Sequence, residues 1–375
     1  MKPTRSTVLP SLLLLTIIAG CSTYEPFHTV PHLQSQYAER VPDDLAGEVR
    51  IPFVLGAEEM DAIRPRLGDP SLRDELRVQA VVDYIFGGLE LAYSQTPTRD
   101  ASATYRTREA NCLSFVNLFV GIARNWRLNP YYVEVEDYQR WTFNDGVVVS
   151  RGHIVAGLTV DGQLSTYDFL PYAPKAYRDF RPISDLDAMA HFYNNLGAEA
   201  LMAGEVEVAE KNLRVATSLA PDFEKAVNNL GIVHLRRGEV EVARALYERG
   251  LELNPSSVPQ MTNLARVYQS LGETEKALDL LTQLEGLNHT NPFFFVYRGE
   301  AALADGDLPA ALDYMREALR TDSEVPEVHV GLVKVYMAFG ELDKARHHIE
   351  RALRLDATHV EGRKYAALLQ AGAGG

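Results

Sequence analysis

One spacing of small residues governs the second half of the chain. Five glycines follow one another at intervals of 34 residues: Gly204, Gly238, Gly272, Gly306 and Gly340. Five alanines keep the same interval, each five residues after a glycine: Ala209, Ala243, Ala277, Ala311 and Ala345. Ten small residues in one period are not a chance event. Residues 188–370 are therefore expected to form a unit that stacks on copies of itself.

The period of 34 residues resembles that of tetratricopeptide repeats, which are pairs of antiparallel helices with a glycine in the turn between them. The alanine lets the second helix of a pair pack closely on the first. Pro221 and Pro255 break the chain before the next pair begins. The resemblance implies an all-α solenoid of about five repeats with a capping helix over residues 188–370.

An asparagine recurs at one register in the first helix of three successive repeats, at Asn195, Asn229 and Asn263. Because an asparagine amide both donates and accepts hydrogen bonds, such a row suits the backbone of an extended peptide. These three residues are predicted to line a groove that binds a partner protein or peptide. The alternative is that the repeats act as a spacer or as an oligomerisation surface.

The N-terminus has the pattern of an export signal: basic residues, an apolar run, and small residues that lead to Cys21. Residues 1–21 resemble a bacterial lipoprotein signal peptide with a lipobox, in which Cys21 is lipidated after cleavage. An uncleaved N-terminal anchor is the alternative, and either places the rest of the chain outside the cytoplasm. Ser22 follows Cys21, where an aspartate would retain a Gram-negative lipoprotein at the inner membrane. By resemblance to the sorting of such lipoproteins, the protein is expected on the periplasmic side of the outer membrane. Residues 22–45 are polar with scattered prolines and are predicted to be a tether.

Charge and cysteine count narrow the classes of function. A formal net charge of −14 without a basic stripe argues against nucleic-acid binding. No stretch approaches the roughly 20 apolar residues of a membrane-spanning helix, so membrane contact is expected through the lipid on Cys21 alone. The chain has two cysteines, which leaves Cys112 without a partner in the mature protein. An odd thiol in an exported protein indicates a reactive group or an intermolecular bond, although a free cysteine also occurs as a small buried apolar residue.

Between the tether and the repeats, residues 46–185 predict an α+β domain with helices first and an antiparallel sheet after them. Helical spacing covers three segments: 57–67, 71–92 and 112–127. The β-rich stretches that follow are 131–135, 140–143, 147–160 and 163–170, with hairpin signals at 144–146 and 161–162.

The start of the third helix is the candidate site of chemistry. Cys112 begins this helix, where unpaired N–H groups and a partial positive charge favour a thiolate and hold an oxyanion. A nucleophilic thiol needs a base, and His153 is the one histidine of residues 46–185. A two-residue turn at 161–162 pairs residue 160 with 163, which places Asp168 one diagonal step from His153 on the same face.

A cysteine at a helix start, followed by a histidine and an aspartate on adjacent antiparallel strands, resembles the transglutaminase-like branch of papain-type enzymes. The order Cys112, His153, Asp168, with spacings of 41 and 15 residues, fits that family, as does the segment 111–119. The resemblance implies that Cys112 attacks a carboxamide or peptide carbonyl. His153 then transfers the proton, and Asp168 orients the imidazole. Asn111 is a departure, because the family often has glycine before the cysteine.

These features predict an envelope-anchored cysteine peptidase or amidase whose repeats recruit a protein substrate or partner. No cofactor is implied, and no spacing of cysteines or histidines predicts a metal site. Two alternatives belong to other classes of function. The first is a non-enzymatic adaptor lipoprotein with an inert transglutaminase-like docking domain, and the second is a crosslinking acyltransferase.

Overall fold

The computed structural model describes residues 29–144, 147–160, 162–169, 180–286, 292–355 and 359–371. The chain divides into two compact units. The first unit comprises Met1–Thr142 and Val149–Leu246, and the second comprises Phe143–Val148 and Tyr247–Gly375. The first unit thus unites most of the described part of the predicted α+β domain with the opening repeats.

Six α-helices precede the repeats within the described residues: α1 (Val30–Arg40), α2 (Asp43–Ala46), α3 (Ala57–Leu67), α4 (Asp74–Asp83), α5 (Ala101–Thr107) and α6 (Cys112–Asn125). A π-helical turn, Tyr84–Gly88, continues α4. Helical spacing predicted α3 and α6 closely, and it predicted α4 with its extension as one helix. Two of the short helices, α2 and α5, were not predicted.

The strands form two sheets. They are β1 (Ala92–Tyr93), β2 (Glu109–Ala110), β3 (Pro130–Asn144), β4 (Val147–Val160), β5 (Gln163–Tyr167) and β6 (Phe180–Ile183). A small parallel pair joins β1 to β2, and the larger sheet has the order β5-β4-β3-β6. Val160 pairs with Gln163 and Ala156 with Tyr167, so the predicted register of the β4–β5 hairpin is confirmed. β3 is one long strand where two short ones were predicted, and β6, which pairs antiparallel with β3, was not predicted.

Helix α6 is the centre of the core in the first unit. Every residue from Leu113 to Ala123 is buried. Gly121 allows this close packing, because a Cβ atom there would lie 2.3 Å from the backbone oxygen of Phe53. The Tyr132 hydroxyl of β3 donates to the Asn117 side chain at 2.9 Å, which ties the sheet to the helix. The helix that begins at Cys112 is thus fixed along its whole length.

The C-terminal region consists of tetratricopeptide-type helix pairs. They are α7 (Asp185–Ala203) with α8 (Val206–Leu219), α9 (Glu224–Arg236) with α10 (Val240–Leu253), α11 (Val258–Ser270) with α12 (Thr274–Gly286), α13 (Pro292–Ala304) with α14 (Leu308–Thr321), and α15 (Pro326–Ala338) with α16 (Leu342–Leu355). Helix α17 (Val360–Ala371) follows them. The first helix of each pair is called its A helix below. The described residues therefore contain the five repeats and the closing helix that the sequence predicts.

The period itself has a simple steric cause. Each of the five periodic glycines has a φ between 77° and 79°, a left-handed conformation that residues with a Cβ atom adopt only under strain. Helix contact explains a second small residue, Gly197 on the first helix of its pair: a Cβ atom there would lie 3.3 Å from the backbone oxygen of Ala209 and 2.5 Å from Leu213 Cγ. Small residues therefore recur wherever the turn or the helix contact admits nothing larger.

The structure differs from the sequence at the predicted tether, residues 22–45. Residues 30–40 form α1, and its Leu33 side chain is fully buried. The Arg40 guanidinium donates to the backbone oxygen of Leu219 at the end of α8, at 2.8 Å. Because one apolar face of a short polar helix is covered by the first repeat, this segment is part of the first unit. Residues 22–28 lie outside the described residues.

Candidate active site

Cys112 is the first residue of α6, and Asn111 caps the helix. The Asn111 Oδ1 atom accepts hydrogen bonds from the Ser114 backbone N–H at 2.9 Å and from the Ser114 hydroxyl at 2.8 Å. The Phe115 N–H donates to the Asn111 carbonyl at 2.9 Å. Helix geometry gives the N–H groups of the first residues no intrahelical acceptor, so those of Cys112 and Leu113 are available to a developing oxyanion. Asn111, which stands where the family often has glycine, therefore has a physical role as the N-cap of α6.

His153 and Asp168 meet across the β4–β5 hairpin. His153 lies on β4 and is buried, and Asp168 directly follows β5. The His153 Nε2 atom lies 3.1 Å from Asp168 Oδ2, and the other carboxylate oxygen accepts the Phe169 backbone N–H at 2.7 Å. The hairpin register confirmed above brings these two side chains to one face. Asp168 is thereby fixed at one oxygen and bonded to the imidazole through the other.

All three predicted catalytic side chains come together. One donor atom from each of Cys112, His153 and Asp168 lies within 4.8 Å of the others. Burial lowers the pKa of His153, but hydrogen bonds and negative charge from Asp168 and Cys112 outweigh it and raise the pKa to about 9. The imidazole is therefore protonated at neutral pH. A positive ring between a carboxylate and a sulfur atom is the arrangement of an activated thiol.

Aromatic packing holds the Asp168 side of the site. Phe169 stacks on Phe115 of α6 with ring centroids 5.0 Å apart and planes 7° from parallel. Tyr167 stacks on Phe119, one helical turn further, at 4.8 Å. The residues on both sides of Asp168 are thus packed on the helix that begins at Cys112, which fixes the carboxylate relative to the thiol.

A hydrogen-bond chain behind Asn111 was missed by the sequence analysis. The Asn111 Nδ2 group donates to the Thr98 hydroxyl at 2.8 Å. That hydroxyl donates at 2.7 Å to Glu199 of α7, which also accepts the Thr98 N–H at 2.9 Å. Asparagine ahead of an apolar helical run is a readable N-cap signal. The contact with Glu199, which lies 101 residues from Thr98, has no local sequence signal.

The cluster of cysteine, histidine and aspartate also offers three kinds of metal ligand. A single metal ion requires all its donors at about 2.0–2.3 Å. The His153 Nε2 atom already bonds the carboxylate, so Nδ1, on another edge of the ring, is the nitrogen left to exchange a proton with Cys112. A ring placed between thiol and carboxylate matches a proton relay rather than shared coordination of one ion.

The three predicted groove asparagines are buried, and two of them bond within the chain. Asn229 donates to the Asn194 side chain at 2.8 Å. Asn263 accepts the Val148 backbone N–H at 2.9 Å and donates to the Val148 carbonyl at 3.1 Å. The Asn195 Oδ1 atom has no hydrogen-bond partner within the described part of the chain. Asn263 thus binds extended backbone, as the predicted row of asparagines is expected to do, but this backbone belongs to the chain itself. A role of the three asparagines in partner binding stays a prediction.

Comparison with known proteins identifies the repeats. One tetratricopeptide-repeat family model matches residues 194–258 and 262–326, and a second such model matches residues 302–371. No curated protein matches the chain. The C-terminal region is therefore a tetratricopeptide-repeat region, the class of module that commonly binds protein or peptide partners.

Three solved structures are examples of those to which about half of this chain is similar. A thermophilic TPR protein of Thermus thermophilus is 22% identical, with 48% of this chain and 99% of that chain covered and a TM-score of 0.45. PilF of Pseudomonas aeruginosa is 22% identical over 49% of this chain and 90% of its own, with a TM-score of 0.39. MamA of Desulfovibrio magneticus is 19% identical, with 46% of this chain and 97% of MamA covered and a TM-score of 0.34.

The predicted lipidation site, Cys21, lies outside the described residues. Among the residues that the structure does describe, none of the helices has the length and apolar character needed to cross a bilayer.

Proposed function

We propose that the chain is an envelope-anchored, transglutaminase-like cysteine enzyme that hydrolyses an amide bond. The observation that supports this proposal most directly is the convergence of Cys112, His153 and Asp168 within 4.8 Å at the N-terminus of α6. Chance seldom brings a half-buried thiol, a buried imidazole and a bonded carboxylate together at a helix start. The repeats would bind the protein that presents the amide.

The chemistry follows from the arrangement of the three side chains. In the proposed reactive state His153 holds the proton of the Cys112 thiol, and the sulfur adds to the carbonyl carbon with its own electron pair while the N–H groups of the helix start stabilise the oxyanion. His153 donates its proton to the leaving amine as the C–N bond breaks, which leaves a thioester. Water then adds to the thioester, gives one proton to His153, and releases the carboxylic acid and the sulfur. Asp168 keeps the ring oriented throughout.

The location is part of the same proposal and rests on the sequence. Lipidation of Cys21 would fix the protein to the outer membrane on its periplasmic side. A Cys21→Ser variant is expected to lose incorporation of labelled fatty acid and to leave the membrane fraction, whereas Cys112→Ser is expected to keep both. Equal membrane attachment of both variants would contradict lipidation at Cys21.

The enzyme proposal is tested by alkylation with iodoacetamide at pH 6 and pH 8. Cys112 is expected to react rapidly already at pH 6, because the protonated imidazole supports the thiolate, and His153→Ala is expected to abolish that reaction. Slow labelling that is insensitive to the histidine would contradict the enzyme and favour the adaptor.

A product assay separates the two acyl-transfer alternatives. A fluorescent protein substrate is incubated with the full chain, with and without an added fluorescent primary amine. Shorter fragments, or a carboxylic acid formed in place of a carboxamide, indicate hydrolysis, whereas incorporation of the amine indicates acyl transfer to an amine, as in crosslinking. Cys112→Ser is the control, because its hydroxyl has the same shape and lacks the nucleophile.

A further inference from the structure

A buried carboxylate joins the sheet to the first two A helices. Glu134 of β3 is 2% exposed. Its oxygens lie 2.7 Å from Lys225 Nζ of α9 and 2.7 Å from Arg181 Nη2 of β6. The His191 Nε2 atom of α7 is 3.5 Å away. Strand residues seldom bury a charge without such partners, so the repeats supply a cation that the sheet needs.

The charge states of Glu134 and its partners strengthen this contact between the sheet and the repeats. Burial raises the pKa of Glu134, but the cations around it outweigh that and lower it to about 2. Burial lowers the pKa of His191 to about 4, so this ring is neutral at pH 7. The ionised carboxylate is therefore balanced by Lys225 and Arg181, and removal of Lys225 leaves a buried charge only half compensated.

This contact lies beside the histidine of the candidate active site. Gly152, the residue before His153 on β4, approaches this cluster closely. A Cβ atom at Gly152 would lie 3.0 Å from the His191 ring and 3.6 Å from Glu134 Oε1. Helix α7 therefore limits where β4 can lie one residue before the imidazole.

Within the second unit, another A helix holds the same strand by its backbone. Asn263 of α11 makes two hydrogen bonds to Val148, one in each direction, and both residues are buried. Both hydrogen bonds go to backbone atoms of Val148, so the contact depends on the extended conformation of β4 and not on the valine side chain.

We propose that A helices of the repeats take the chain's own strands as their ligand. In the first unit, Lys225 binds the Glu134 side chain and thereby positions His153. In the second unit, Asn263 binds the Val148 backbone. The positioning of His153 for proton transfer rests on the proposed function. The binding of the strands by Lys225 and Asn263, called the hold below, does not. A partner peptide that uses Lys225 must displace Glu134 of β3, so binding of that peptide and full reactivity of Cys112 are mutually exclusive.

The hold is tested by amide hydrogen exchange of the full chain. Asn263→Ala is expected to speed exchange at Val148 about tenfold, because the acceptor for its N–H is lost. The matched control is Thr262→Ala, since the hydroxyl of that buried neighbour donates within α11, to the Val258 carbonyl at 2.8 Å. Equal exchange at Val148 in both variants would overturn the hold, whatever the enzyme assays show.

The positioning is tested by the pH dependence of Cys112 alkylation. Lys225→Met is expected to slow the reaction at pH 7 about tenfold and to change its pH profile, and Lys225→Arg is expected to restore both. Asp185→Asn is the control, because Arg124 and Asp185 form an ion pair of similar burial, at 2.7 Å, away from β4. A profile that changes equally in Lys225→Met and Asp185→Asn would refute the positioning role.

Two further outcomes distinguish failure of the proposed enzyme function from failure of the proposed binding of the strands by the repeats. If Lys225→Met does not fold, Arg181→Met removes the more exposed of the two cations bound to Glu134 and allows the same alkylation comparison against Asp185→Asn. If alkylation of the native chain ignores His153→Ala, the proposed function fails. The exchange rate at Val148 still decides whether the repeats hold β4.

Discussion

Replacement of Asn111 by alanine is predicted to destabilise the first unit much more than the loss of an ordinary helix cap. The cap itself contributes about 1 kcal/mol to the free energy of unfolding. Asn111 also accepts from the Ser114 hydroxyl and donates to the Thr98 hydroxyl, both at 2.8 Å. Each of these hydrogen bonds is worth about 1 kcal/mol, so the total loss is on the order of 3 kcal/mol.

Asp100→Ala is the matched control for this prediction. Asp100 caps α5 by accepting the Ala103 N–H at 2.7 Å. Its ion pair with Arg50 is 3.9 Å long and involves a side chain that is 81% exposed, so it adds little. The expected cost of Asp100→Ala is about 1 kcal/mol.

Urea unfolding followed by tryptophan fluorescence measures the difference within the correct unit. The chain has two tryptophans, Trp126 and Trp141, and both belong to the first unit. If Asn111→Ala costs no more than Asp100→Ala, the hydrogen-bond chain from the helix start to Thr98 does not stabilise the site and the reasoning is refuted.

Three shorter predictions follow. The folded pKa of His153, about 9, lies above its ordinary value of 6.5, so its contribution to stability is complete below pH 6.5 and is lost as the pH rises through 9. This contribution is on the order of 3 kcal/mol, and urea unfolding should show it in the native chain and not in His153→Gln. Asp168→Asn should lower the pKa of His153 and slow alkylation of Cys112 at pH 7 more than tenfold; an unchanged rate would remove Asp168 from the site. Gly197→Ala should cost about 1–3 kcal/mol in thermal unfolding, because its Cβ would lie 2.5 Å from Leu213, whereas Gly87→Ala, with nothing within 4 Å, should cost nothing; equal effects would refute the packing argument.

The repeats could be predicted from sequence because their requirements are local and recur. All five repeats place glycine at the left-handed turn, where it is the least strained residue, and the close helix contact favours small residues, so the period is visible without a structure. The same is true of the β4–β5 hairpin, where a two-residue turn fixes the register and therefore the face shared by His153 and Asp168.

The remaining features depend on contacts between distant parts of the chain. Leu33 is fully buried in α1, which contacts both helices of the first repeat, and the apolar face of a short helix does not indicate which distant segment covers it. Glu134 stands in a strand pattern that gives no sign of its partner, Lys225, which is 91 residues away. The proximity of Cys112 to His153 was likewise expected from a family resemblance rather than from spacing.

The central claim is that His153 holds a proton between Cys112 and Asp168 at neutral pH. NMR titration of histidine ring nitrogens in the full chain measures this directly, with His153→Gln to assign the signal. The ring is expected to remain protonated beyond pH 8 and to titrate near 9, and to titrate at lower pH in Cys112→Ser. A His153 signal that titrates near 6.5 and is indifferent to Cys112→Ser would contradict the account.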